Sequence, residues 1–132
     1  MKKLKTQGEC LYDYQYDILT YKCKERNYQY SIEFQNFAID VDEENFVTGI
    51  RIFDASRVFT IDKELLRHIV DGEFKAIMEK NIITISIKFL GIKRNRIIPL
   101  FTRTENYTQQ ITTPVSSKHK IENAVIECPI TV

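Results

Sequence analysis

The one concentration of negative charge in this 132-residue sequence is Asp40, Asp42, Glu43 and Glu44. Hard cations take several oxygen ligands, and Asp40-x-Asp42-x-Glu44 resembles the opening of a calcium loop. The match then fails twice. Asn45 stands where the sharp turn wants glycine, and Arg51 stands where a bidentate glutamate is needed. Solvated hairpin charges, which also discourage association of sheet edges, are the simpler reading. Asp54-Ala55-Ser56 offers a carboxylate and a hydroxyl, but a nucleophilic serine needs a histidine beside it and a strand-to-helix elbow to expose it. Asp54 and Ser56 read instead as groups that bond nearby backbone amides in an exit turn. His68 and His119 are the two histidines. Either would need to meet a carboxylate in three dimensions to act as a base.

The second concentration of charge is basic. Lys88, Lys93, Arg94, Arg96 and Arg103 occur with no acid among them, interleaved with Phe89 and Phe101. Two basic strands and a basic turn could grip a phosphate backbone. Charged edges also protect sheets from aggregation, which is the structural account of the same residues. Six of the seven tyrosines lie between Tyr12 and Tyr30. They could stack on bases or sugars, but strand propensity and a wet hydroxyl at a sheet rim account for them without a ligand. No phosphate loop, zinc spacing or dinucleotide fingerprint is present, so the sequence calls for no cofactor and no metal.

These residues must be positioned mainly by strands. Leu19, Tyr21 and Cys23 fall on one strand face, and Tyr28, Tyr30, Ile32 and Phe34 alternate with polar residues on the next. Phe37, Ile39 and Val41 alternate in turn, and after Glu43-Glu44-Asn45 the pattern resumes with Phe46, Ile50 and Ile52, which predicts a hairpin. Gly49 inside its second strand marks a bulge or a close backbone approach. One helix is expected over about 62–71: Asp62 caps it, Ile61 staples to Leu66, Leu65, Leu66, Ile69 and Val70 form its buried stripe, and Gly72 ends it. Strands then return, Phe74, Ala76 and Met78 in one and Ile83, Ile85, Ile87 and Phe89 in the strongest. Pro99 places the strand from Ile97 to Phe101 at a sheet edge. From Thr104 the polar composition predicts a long loop before a last strand through Ala124, Ile126, Cys128 and Ile130, which needs a partner edge at home or on a neighbour.

The expected fold is α+β and mainly β, a curved antiparallel sheet of hairpins with one packed helix in a single domain, residues 1–132. Within it, 72–103 forms a second β-hairpin region and 104–132 a loop plus the C-terminal strand. With 19 basic and 18 acidic side chains the net charge is +1, so no global field argues for nucleic acid or an acidic substrate. Cys10, Cys23 and Cys128 are odd in number and widely spaced, which suggests reduced thiols in a cytoplasmic protein. No apolar run approaches the ~20 residues of a membrane span, so a soluble protein without a membrane partner is expected.

Asp17, Leu19 and Tyr21, then Asp40 and Asp42, then Val47, Gly49, Ile50, Ile52, Ala55 and Ser56 together resemble a widespread prokaryotic family of small proteins known as a domain of unknown function. The resemblance covers about residues 11–70. Members commonly carry Glu where Arg51 stands here. It implies no established reaction; the antitoxin role ascribed to some members implies a protein partner such as a toxin. Three functional classes therefore stand. The first is a non-catalytic interaction or assembly module that self-associates through sheet edges. The second is an antitoxin-like or nucleic-acid-binding regulator using the basic 88–103 strand pair, and the third is an enzyme of unknown reaction.

Overall fold

The computed structural model describes residues 2–79, 82–93, 96–99, 107–112, 121–122 and 124–131. Eleven strands and two short helices follow one another along the chain. They are β1 Lys2–Lys5, β2 Gly8–Asp13, β3 Ile18–Cys23, β4 Tyr28–Phe34, β5 Phe37–Asp42, β6 Val47–Phe53, α1 Ala55–Phe59, α2 Lys63–Leu66, β7 Ile69–Glu79, β8 Ile82–Lys93, β9 Arg96–Pro99, β10 Tyr107–Thr112 and β11 Ala124–Thr131. All strands join one mixed sheet in the order β10-β8-β7-β11-β2-β3-β6-β5-β4, with β1 paired to β11 and β9 to β8. The fold is mainly β, as expected. None of the helices is long and apolar enough to cross a membrane among the described residues.

Such a sheet has too much apolar surface on one face to stay open, and it curls until two halves meet. The first half is the antiparallel set β2-β3-β6-β5-β4; the second is β7, β8 and β11 with their edge strands. Alternation supplies the core from both. Leu19, Tyr21, Ile39, Ile50 and Ile52 come from one half and Phe74, Ile83, Ile85, Ile87, Phe89 and Ile126 from the other, all essentially inaccessible. The Tyr21 ring stacks on Phe74 with centroids 5.0 Å apart and lies 6.1 Å from Phe89.

The two halves meet along β11, which pairs in parallel with β1, two residues ahead of β2 in the chain, at four register positions and accepts the Thr6 amide at the Glu127 carbonyl. β11 runs antiparallel to β7 over its full length, but it meets β2 at one register position, Ile130 opposite Gly8. Side chains reinforce that seam. The Tyr21 hydroxyl donates to the carbonyl of Cys128, and Cys23 is disulfide-bonded to Cys128 across 105 residues of sequence. Gly8 is the glycine this arrangement demands, because a Cβ there would lie 2.6 Å from the Tyr21 hydroxyl and 2.8 Å from the Cys128 carbonyl. The expectation of three reduced thiols is thus corrected. Spacing along the chain hid a pair that the fold brings together, and Cys10 is the free cysteine.

Three further expectations change. The helix over 62–71 is shorter: α2 is one turn, and Ile69 and Val70 open β7, which pairs with β8 along its length and with β11 over residues 71–78. β-Branched residues favour strand, Ile69 lies opposite Gly91 on β8, and Gly72 lies inside β7 instead of capping a helix. The exit turn at Ala55 and Ser56 is a helix, α1, bracketed by Asp54 and Thr60 in left-handed conformation. The polar stretch after Thr104 contains β10, six residues antiparallel to Ile82–Ile87 at a sheet edge where no apolar face is required. The last strand pairs within its own chain, resolving the alternative left open by sequence.

Two outcomes are expected. Alkylation of the purified protein in denaturant without reductant should modify one thiol, Cys10, against three after reduction, as read by mass. Gly8→Ala should lower stability by about 1–3 kcal/mol, the usual range for forcing a group into a packed core, as read by the denaturant midpoint.

Candidate functional site

Three polar clusters are built into the first half of the sheet. The first centres on Asp17, which precedes β3 in a left-handed conformation and is buried. Its Oδ1 accepts the Tyr12 hydroxyl at 2.6 Å and the Ser56 amide at 3.0 Å, and its Oδ2 accepts the Ser56 hydroxyl at 2.6 Å. The Asp17 carbonyl also accepts the Ala55 amide. One carboxylate therefore takes the place of a helix cap for α1, whose preceding residue Asp54 makes no side-chain cap bond. Burial pushes the Asp17 carboxyl up, but the hydrogen bonds from Ser56 and Tyr12, with Lys63 nearby, outweigh it and hold the group below its ordinary value. Burial and the bond to Asp17 raise the Tyr12 hydroxyl.

The second cluster joins three adjacent strands. Asp40 on β5 accepts the Ser31 hydroxyl from β4 at 2.6 Å and Arg51 Nη2 from β6 at 3.0 Å, and Arg51 Nη2 also reaches Ser31 at 2.9 Å. The third sits at the end of the β5–β6 hairpin. Asp42 Oδ1 accepts the amides of Glu44 and Phe46, and Oδ2 accepts Arg26 Nη1 at 2.7 Å. Asn45 turns the chain there with φ of 68°. Asp42 is thus an Asx-type brace that fixes the turn and ties it to Arg26.

Several sequence expectations are corrected here. Asp40 and Asp42 are not solvated hairpin charges; they are 5% and 3% exposed. A buried carboxylate must be compensated, and each acid has its own arginine. The four residues Asp40, Asp42, Asp54 and Ser56 are not one cluster: Asp54 pairs with Arg57 on the surface and Ser56 with Asp17. His68 lies 3.4 Å from Glu64 on the exposed side of α2, away from these groups. No set of three or more His, Cys, Asp or Glu side chains able to hold a metal occurs among the described residues. His119, Arg94 and Arg103 lie outside the described residues. Of the remaining basic group, Lys88 and Arg96 are exposed, Lys88 opposite Glu73 in the β7–β8 ladder, and Lys93 stands opposite Arg96 in the β8–β9 pairing.

Sequence reasoning did not single out Ser31, Arg26 or Tyr12. Ser31 and Arg26 had a readable signal in part, since an Asp on a strand whose neighbours are apolar is a carboxylate seeking partners. Gly49 was placed correctly. The pairing of β5 with β6 shifts register between Asp40 and Val41, and a Cβ on Gly49 would lie 2.9 Å from the Tyr21 carbonyl. Its φ is not positive, so any substituted residue fails on space, not on backbone conformation.

Over residues 11–56, from β2 to the start of α1, the chain matches the family described as Protein of unknown function (DUF2283). An uncharacterized protein of Methanocaldococcus jannaschii is 34% identical over 89 residues, 66% of this chain and 76% of that protein. A protein of Methanosarcina mazei bearing the name "Putative hypoxanthine phosphoribosyltransferase" is 29% identical over 87 residues, 66% of this chain and 71% of that protein. No solved structure matches the chain.

The Asp17 cluster generates a pH prediction. A carboxyl held low in the folded state stabilises above its unfolded value, near 3.8, and that contribution is lost as pH falls through the lower folded value. Asp17→Asn should be about 1–3 kcal/mol less stable at pH 7, the range for leaving buried donors unmatched. The gap should narrow on acidification below about pH 4, as followed by denaturant midpoints at successive pH values.

Proposed function

The chain belongs to the DUF2283 family of proteins of unknown function, and from that premise we propose that it is a non-catalytic assembly module that pairs with a second copy of itself along β4. The carrying observation is the end of the strand order. β4 has β5 on one side and, among the described residues, no strand on the other. Outward-facing amides and carbonyls of an edge strand are a template for another strand. The register shift between Tyr28 and Tyr30 turns one end of β4 aside, which leaves residues 30–34 as the regular part of the edge. Two such edges related by a two-fold axis would be self-complementary.

The polar clusters support the same reading. Asp17, Asp40 and Asp42 are each taken up by side chains and amides of their own fold, which suits bracing more than turnover. A toxin-like protein would be an alternative occupant of the same edge. The proposed compartment is the cytoplasm, where the Cys23–Cys128 bond would be shielded from reductants by its burial, the two residues being 1% and 0% exposed.

The test is size-exclusion chromatography with light scattering across protein concentration. The wild type should pass from monomer to dimer, and the exposed-edge double variant Gln29→Lys, Glu33→Lys should remain monomeric with an unchanged melting temperature. A wild type monomeric at every concentration would refute the proposal.

A further inference from the structure

Away from the core, the outer face of the first half of the sheet carries a hollow of about 280 Å³. Its origin is a missing side chain. In the ladder across β3, β6 and β5, Gly49 stands between Lys22 and Asp40, so the row has a gap at its centre. The adjacent row, Leu11, Thr20 and Arg51, forms one wall, and Arg26 from the β3–β4 connection and Tyr28 at the start of β4 form another. The glycine cannot be filled, because its Cβ would meet the Tyr21 carbonyl at 2.9 Å. The gap is therefore a fixed property of the fold.

Three cations stand at this hollow, each with an acid nearby: Arg51 pairs with Asp40, Arg26 with Asp42, and Lys22 stands opposite Glu9 in the β2–β3 ladder. Lys22, Arg26 and Arg51 line it with one acid, Asp40. Arg51 is held in place from one side by Asp40 and Ser31, and its guanidinium carbon lies 5.5 Å from the centre of the Tyr28 ring. Arg26 is held by Asp42. Lys22 is exposed and makes no ion pair among the described residues. Two arginines with fixed orientation and an exposed lysine can receive an oxyanion. Arg51 Nε is buried and has no hydrogen-bond partner among the described residues.

Apolar groups flank the cations. Leu11 is 53% exposed and Tyr28 58% exposed, and both line the hollow. Exposed aromatic and aliphatic surface beside converging polar groups is the composition of small-molecule sites. We propose that this hollow binds a small organic oxyanion, a carboxylate or phosphate on a compact body with an apolar or ring portion. The headgroup meets Lys22 and the free edges of Arg51 and Arg26, with the Thr20 hydroxyl beside them, while the ring portion lies against Tyr28 and Leu11. The site takes Tyr28 from the start of β4 and does not use the backbone edge of residues 30–34 proposed above for pairing.

Titration of the full chain, followed by amide chemical shifts at constant ionic strength, tests this with four probes: benzoate, phenyl phosphate, inorganic phosphate and benzyl alcohol. Benzoate or phenyl phosphate should saturate, moving the amides of Thr20, Lys22, Thr48 and Gly49, and the tighter of the two identifies the headgroup. Inorganic phosphate should bind more weakly and benzyl alcohol not at all. Lys22→Ala, a surface change, should weaken the ring-bearing anion by about tenfold, equal to about 1.4 kcal/mol, with an unchanged melting temperature. The site is overturned if neither ring-bearing anion saturates, if benzyl alcohol binds as well as the anions, or if Lys22→Ala binds as the wild type does.

Discussion

The architecture depends on the bond between the Tyr21 hydroxyl and the Cys128 carbonyl at the seam between the two halves of the sheet. Backbone pairing of β11 with β1 and the amide of Thr6 leads into a single register position with β2, and side chains reinforce the junction from there. Tyr21 is suited to the task because its ring fills the core against Phe74 while its polar end is satisfied by backbone. Burial raises the Tyr21 hydroxyl pKa, so it stays a donor at any ordinary pH. The neighbouring disulfide closes a loop of about a hundred residues, which in the chain-entropy view is worth about 4–5 kcal/mol. Gly8 makes room for both.

The three buried carboxylates extend the same logic to the first half of the sheet. Each spans elements that backbone pairing alone would leave adjustable: Asp17 joins β3 to α1, Asp40 joins β4, β5 and β6, and Asp42 joins the β5–β6 turn to Arg26. A one-residue slip in any of these strands would strand an ionised group without its arginine or hydroxyl, at far greater cost than the bond itself contributes. The acids are best understood as register pins. The outer-face hollow then follows from the same strands, since the glycine that lets β6 approach β3 also leaves the row open.

Periodicity revealed most of this fold in advance. β3 to β8 and β11 follow from alternation of apolar and polar residue types, although β5 is buried on both faces. The failures share a cause. β10 has no apolar period to read, as it sits at an edge; Leu65, Leu66, Ile69 and Val70 satisfy a helical spacing, but only Leu65 and Leu66 stay helical while Ile69 and Val70 join β7 beside β8; and Cys23 and Cys128 are joined by a fold-level coincidence invisible to spacing. The polar clusters were partly readable as residue types. Asp40 and Asp42 stood out, but their burial depended on partners such as Ser31, nine residues away, and Arg26, sixteen residues away, that only strand pairing selects.

One feature of the chain bears on the order in which it assembles. α1 has five residues and lies between Asp54 and Thr60, both in left-handed backbone, a conformation that is especially unfavourable for a β-branched residue. So short a segment does not nucleate on its own, and its amides at Ala55 and Ser56 are satisfied by a residue almost forty positions earlier. The helix can form only after β3 is in place. Its arrival therefore reports completion of the first hairpins, and during unfolding it should be the first region to exchange its amide hydrogens with solvent.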